Sequence, residues 1–83
     1  MTLYSRRIIF PEGDEQEAPV PLAIGTVVDQ NGHPLALPLS SPKILAYRVF
    51  RIRTREAIGE EVACYFLERL GLAETLPLTD REF

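Results

Sequence analysis

The side chains best suited to chemistry in this chain are arginines, which are concentrated between Lys43 and Arg55 with no acidic residue among them. A guanidinium group donates paired hydrogen bonds to a carboxylate or a phosphate, and a neighbouring aromatic ring can stack on a nucleic-acid base. The sequence therefore predicts a partner-binding site in this segment. Its candidate residues are Arg48, Arg51, Arg53, Arg55 and Tyr47.

Two interpretations of this basic row stay open. In a regular strand, Tyr47, Arg51 and Arg53 share one face, while Arg48 lies on the other. The row either binds a partner, or it is a solvated face whose guanidinium groups pair with acids of the same chain. Those acids include several glutamates after the row and, before it, Glu12, Asp14, Glu15 and Glu17.

Cys64 and His33 are the only cysteine and the only histidine. They are far apart in sequence, and a lone cysteine completes neither a disulfide nor a cysteine-based zinc site. Glu60, Cys64 and Glu68 have helical spacing, but the surface of one helix does not enclose a metal ion. We therefore predict no catalytic residue, no metal and no cofactor, and we expect Cys64 to be an inert thiol beside glutamates at the surface of a helix.

Composition limits the protein to one small domain. The chain has 83 residues, 46% hydrophobic and 25% charged, with a net charge of −3. We place the domain at residues 1–71 and a C-terminal tail at residues 72–83. The acidic balance is atypical of a dedicated nucleic-acid binder. No apolar run is long enough for a signal peptide or a membrane span, so we expect a cytoplasmic protein without a membrane partner.

The first half of the chain is typical of a β structure. Apolar residues and turn signals predict strands at residues 3–10, 22–29, 34–39 and 44–53. An acidic loop flanked by prolines occupies residues 11–19. Asn31-Gly32 is typical of a type I′ hairpin turn, because both residues tolerate positive φ, and Asp29 is expected to initiate that turn.

The second half predicts a helix over residues 55–70. Thr54 is a suitable N-cap, and Gly71 stands where a left-handed C-terminal residue is expected. Apolar residues recur between them with helical spacing. The expected core residues are Ile8, Phe10, Ile24, Val27, Leu37, Ile44, Ala46, Phe50, Ile52, Ile58, Val62, Phe66 and Leu70.

These elements predict an α+β fold, in which an antiparallel sheet of three or four strands carries one C-terminal helix packed on it. A small SH3-like barrel with the same helix appended is the alternative. So small a core favours self-association, and we expect a homodimer.

The leading functional hypothesis is a non-enzymatic protein–protein interaction module or a small subunit of a larger complex. Its partner is another protein or a second copy of the chain. Nucleic-acid binding through the basic strand is the alternative, and an accessory subunit of an enzyme that uses His33 is the third hypothesis. The motifs of hydrolases, nucleotide-binding loops, zinc proteases and EF-hands are absent from the sequence.

Overall fold

A computed structural model describes residues 2–40 and 43–79 and shows a protein built mostly of strands. Within these residues, five strands form one mixed sheet that curls into a half-barrel, and the single α-helix is short. The elements are β1 (Leu3–Ile9), β2 (Glu15–Glu17), β3 (Val27–Val28), β4 (Tyr47–Ala57), β5 (Glu60–Arg69), α1 (Leu72–Thr75) and a 3₁₀ helix (Leu76–Leu78).

The sheet is organised around β5, the last strand in the chain. The strand order is β2-β1-β5-β4-β3, so β5 lies in the middle. It pairs with β4 in an antiparallel hairpin and with β1 in a parallel ladder, while β2 and β3 are short antiparallel edge strands. The molecule is elongated, with extents of 55 × 22 × 17 Å.

The predicted fold class is wrong, in both its versions, because residues 55–70 form strands rather than a helix. Thr54 continues β4, and the hairpin turns at Ile58 and Gly59, where Gly59 has φ of +74°. The prediction failed because β5 is central and apolar on both faces, so its sequence lacks the polar alternation of a half-buried strand. A continuous apolar run satisfies helical spacing equally well.

The larger core cluster lies on one face of the sheet, under the segment that follows β2. Tyr47 and Val49 of β4 pack there with Ile8 of β1, and the ring of Tyr47 meets Phe10 edge-to-face at 5.1 Å between centroids. Ala18 and Leu22 of the segment after β2 cover the cluster, and Val28 of β3 and Tyr65 and Leu67 of β5 complete it.

The list of expected core residues is partly confirmed. Six positions are buried: Ile8, Phe10, Val27, Ala46, Val62 and Leu70. Ile44 and Phe66 are half-buried. Five positions are exposed: Ile24, Leu37, Phe50, Ile52 and Ile58. The exposed positions lie in loops, at the hairpin turn, or in the half of β4 that no other segment covers.

The predicted turn at Asn31-Gly32 is confirmed, although not as type I′. One carboxylate oxygen of Asp29 accepts hydrogen bonds from the backbone N–H groups of Asn31 (2.8 Å) and His33 (3.0 Å), so Asp29 does initiate the turn. Gly32 has φ of +82°, whereas Asn31 does not have the positive φ that type I′ requires. The returning strand is reduced to one bridge, between Val28 and Pro34.

The C-terminal helices dock against a second, smaller cluster. Leu78 packs against Val27, Ala46 and Leu70, and its carbonyl accepts a 2.7 Å hydrogen bond from the Leu39 N–H. Residues 80–83 of the predicted C-terminal tail lie outside the described residues. Within residues 2–40 and 43–79, no helix has the length and apolar character needed to cross a bilayer.

Gly32 makes the closest approach to the core of any described glycine. A Cβ at this position would stand 2.6 Å from Cδ1 of the fully buried Ile8. We expect Gly32→Ala to lower the free energy of unfolding by about 2–4 kcal/mol, as positive-φ strain and overpacking add. Gly59→Ala is the matched control, because its φ is similar and its Cβ would meet nothing within 4 Å. Equal losses for the two variants in urea unfolding would contradict this expectation.

Candidate functional site

A β-bulge in β4 determines which side chains the strand presents. Val49 pairs with Leu67 of β5, but the next pair is Arg51 with Phe66, so Phe50 is an extra residue. Directly paired residues of an antiparallel ladder project to the same face. Arg51 therefore projects to the face opposite Val49, although a regular strand would place these two residues together.

The bulge brings all four candidate arginines of β4 onto one face. Arg48 pairs with Glu68, Arg53 with Cys64 and Arg55 with Val62, and these β5 residues share the face of Phe66. The expectation that Arg48 lies opposite the other three is wrong. The parallel ladder adds a fifth arginine from β1, which also pairs with Cys64. We call this surface the arginine face; its basic residues are Arg7, Arg48, Arg51, Arg53 and Arg55.

Tyr47 is not part of the arginine face. It lies on the core side of β4, 8% exposed, against Phe10. The expectation that it shares a face with Arg51 and Arg53 is wrong, because that expectation assumed a strand without a bulge. The exposed aromatic residue next to the arginines in the β4 sequence is Phe50 instead, at 48% exposure. Sequence reasoning assigned Phe50 to the core.

Three of the five arginines are engaged by carboxylates. Arg48 donates through Nε (2.9 Å) and Nη2 (2.5 Å) to one oxygen of Glu68. Glu15 of β2 accepts from Arg7 Nε at 3.2 Å and from Arg55 Nη2 at 3.4 Å. The predicted pairing with the acidic loop is thus confirmed for Arg55.

Arg51 and Arg53 form the open part of the arginine face. Among residues 2–40 and 43–79, neither makes an ion pair or a side-chain hydrogen bond, and both are exposed. They lie two residues apart on one face, which separates their Cα atoms by about 7 Å along the strand. This spacing matches that of alternate side chains in another extended chain.

The arginine face shields apolar side chains of β5. Val62 and Cys64 are only 4% and 3% exposed, yet neither belongs to a core cluster. Arg55 on β4 pairs with Glu15 on β2, so this ion pair spans β5 and β1, which lie between those strands, and Arg7 on β1 reaches the same oxygen of Glu15. The aliphatic stems of the arginines cover the strand while their charged ends remain in water.

The prediction that Cys64 carries a thiol at the protein surface is wrong. Cys64 is buried in β5, where its Sγ lies 3.9 Å from the Val62 carbonyl oxygen, and its strand neighbours across the sheet are arginines rather than glutamates. The strand conformation also separates Cys64 from Glu60 and Glu68, which were aligned only on the expected helix.

His33 lies at the turn and not near the arginine face. Its side chain is exposed, with Nδ1 3.9 Å from the Asp29 carboxylate. In the part of the chain that the structure describes, no three histidine, cysteine or acidic side chains are grouped as metal ligands. Among the described residues, the arginine face is therefore the candidate functional site.

A family model described as "Uncharacterised Treponema protein" matches residues 2–78. The chain belongs to this family. The match includes every strand of the sheet and so the whole arginine face. No curated protein and no solved structure matches the chain.

Because arginine stems cover Cys64, the rate at which its thiol is modified should depend on those arginines. Arg53→Ala is expected to accelerate modification of Cys64 by N-ethylmaleimide several-fold in the folded protein, because truncation uncovers the thiol. The reagent is uncharged, so loss of a positive charge does not change its attraction to the surface. Arg69→Ala is the control, since Arg69 pairs with Tyr47 and so projects to the opposite face. Equal rates for Arg53→Ala and Arg53→Met, which removes the same charge but keeps a long side chain, would show that the arginine stem does not shield Cys64.

Proposed function

We propose that the protein is a non-enzymatic interaction module, a small subunit that binds an acidic segment of another protein through the arginine face. The observation that carries this proposal is the pair Arg51 and Arg53. These two exposed guanidinium groups lie side by side, and no carboxylate among the described residues pairs with them. Phe50 adds an exposed ring next to them. Arginine and aromatic residues are the types enriched where interfaces gain their binding energy.

The chemistry of the face supports binding rather than catalysis. A guanidinium group stays protonated at neutral pH, so it donates hydrogen bonds but does not act as a general base. Arginine also presents its donors in a planar fork that matches a carboxylate. Exposed pairs of this kind contribute about 0.2–1 kcal/mol each, so a useful affinity needs several together, as the arginine face offers.

Nucleic-acid binding is the second candidate, and the bulge is the observation that favours it. All four arginines of β4 lie on one face with exposed Phe50 beside them, which suits phosphate groups and a stacked base. Two features oppose it. The net charge of the chain is −3, and Arg48 and Arg55 are already engaged by carboxylates.

We also propose that the protein acts in the cytoplasm. The buried free thiol of Cys64 agrees with a reducing compartment, where cysteines persist unpaired.

The double variant Arg51→Ala and Arg53→Ala tests the proposal. Fluorescence anisotropy with labelled polyglutamate should show binding that weakens with salt, and the double variant should weaken it about tenfold. The Arg53 stem also covers Cys64, so the double variant should remain folded but lose about 1 kcal/mol of its free energy of unfolding.

Two controls make this result specific. Arg69→Ala removes the same charge from the opposite face and should leave polyglutamate binding nearly unchanged. A mixed-sequence single-stranded oligonucleotide with the same number of charges distinguishes the two candidates. Tighter binding of the oligonucleotide at equal salt would favour nucleic acid as the partner, and failure to bind either polymer would exclude the arginine face as a binding site.

The protein partner can also be a second copy of the chain. We propose a homodimer that forms by pairing of edge strands. Two β4 strands that met at their edges would bring their arginine rows together, and like charges opposite each other are unfavourable. Self-association should therefore increase as salt screens this repulsion. Light scattering behind size exclusion measures it. A dimer that dissociates as salt is added would contradict pairing through β4.

A further inference from the structure

The outer edge of β4 has an open stretch beside the arginine face. β3 consists of two residues, Val27 and Val28, which pair with β4 at its beginning. The last backbone hydrogen bonds on this edge join Val49 to its neighbours: its N–H donates to Thr26 at 3.0 Å and its carbonyl accepts from Gly25 at 2.8 Å.

From Arg51 to Ala57, β4 pairs only with β5 among the described residues. Every second residue of a paired strand directs its N–H and C=O away from its partner. This stretch therefore offers backbone groups to another extended chain, as exposed sheet edges do in peptide recognition by strand addition.

The two faces of this stretch differ in chemistry. Arg51, Arg53 and Arg55 project to the arginine face. Ile52, which pairs with Tyr65, projects to the other face and is 38% exposed. Beside it lies a cleft of about 280 Å³, whose lining is largely apolar, with Tyr4, Pro21, Ala63 and Tyr65, but includes the charged residues Arg6 and Glu61. An added strand would meet positive charge on one face and a largely apolar surface on the other.

We propose that the open edge of β4, residues 51–57, binds an acidic segment of a partner protein as an added strand. The segment alternates acidic residues, which face the arginines, with apolar residues, which face Ile52 and the cleft. This inference rests on the proposed function and specifies the mode and the sequence pattern of that binding.

The molecule already contains a similar arrangement at its other edge. β2 is an acidic strand, Glu15-Gln16-Glu17, that pairs with β1. Its register places Glu15 opposite Ile9 and Glu17 opposite Arg7, so both acids lie on the arginine face, where Glu15 reaches two guanidinium groups. The proposed segment would place acids on the same face from the side of β4.

Charge also favours an acidic segment over a second copy of the chain as the partner of the open β4 edge. A row of like charges on an edge strand opposes pairing with an identical strand, which is one way proteins prevent edge-to-edge aggregation. The same row attracts a strand of opposite charge. At low salt the acidic segment should therefore occupy the edge, and the second copy should not.

Two synthetic peptides of equal composition test the proposal with the full chain. One alternates glutamate and valine over seven residues, and the other carries the same residues as a block of glutamates followed by a block of valines. The alternating peptide should bind about tenfold more tightly in fluorescence anisotropy, because only it can place all its acids on one face of a strand. Arg53→Gln should weaken it about fivefold, whereas Arg69→Gln should not.

Amide hydrogen exchange followed by NMR identifies the binding mode. Strand addition should slow exchange of outward-facing amides within residues 51–57 when the alternating peptide is bound. Equal affinity for the two peptides, or unchanged exchange despite binding, would overturn strand addition while leaving charge-driven binding to the arginine face intact. If neither peptide binds and polyglutamate does not bind either, the proposed function fails as well.

Discussion

The structure depends on β5, whose two faces must both be shielded in a chain too short to build a second layer on each side. Segments between β2 and β3 cover one face and form the larger core cluster with Ile8, Tyr47 and Val49. On the other face, Leu78 of the 3₁₀ helix packs only at one end, against Val27, Ala46 and Leu70, and Val27 shares the face of its partner Arg48. Over Val62 and Cys64, arginine stems from β1 and β4 provide the cover instead. The basic character of this face is therefore also part of how the sheet is kept from water.

The same arginines can both shield β5 from water and bind a partner. A stem that covers Val62 or Cys64 has its orientation restricted by packing, so its guanidinium group loses less freedom when it meets a partner. Arg7, Arg48 and Arg55 are further held by carboxylates, which leaves Arg51 and Arg53 as the exposed donors. The acids also lower the net charge of the face, which disfavours indiscriminate attraction of polyanions.

The sequence predicted local features better than long-range ones. The first strand and the turn initiated by Asp29 follow from short-range patterns and were found. The helix over residues 55–70 was wrong because a central strand that is buried on both faces has no alternation to distinguish it from a helix. The arginines were identified, but their common face was not, since the bulge at Phe50 is a property of the pairing between β4 and β5. The separation of Tyr47 from Arg51 and Arg53 follows from the same bulge.

The bulge also has a consequence for how this strand tolerates insertions and deletions. With Phe50 removed, residues 48–55 would read Arg-Val-Arg-Ile-Arg-Thr-Arg, an unbroken two-residue repeat. A family member that lacks this one residue would keep every charge on its present side and lose only the bend and the exposed ring. A deletion between Arg51 and Arg55 would instead turn the following charges towards the apolar side. Between related sequences, the position of a gap in this strand thus matters more than the number of arginines.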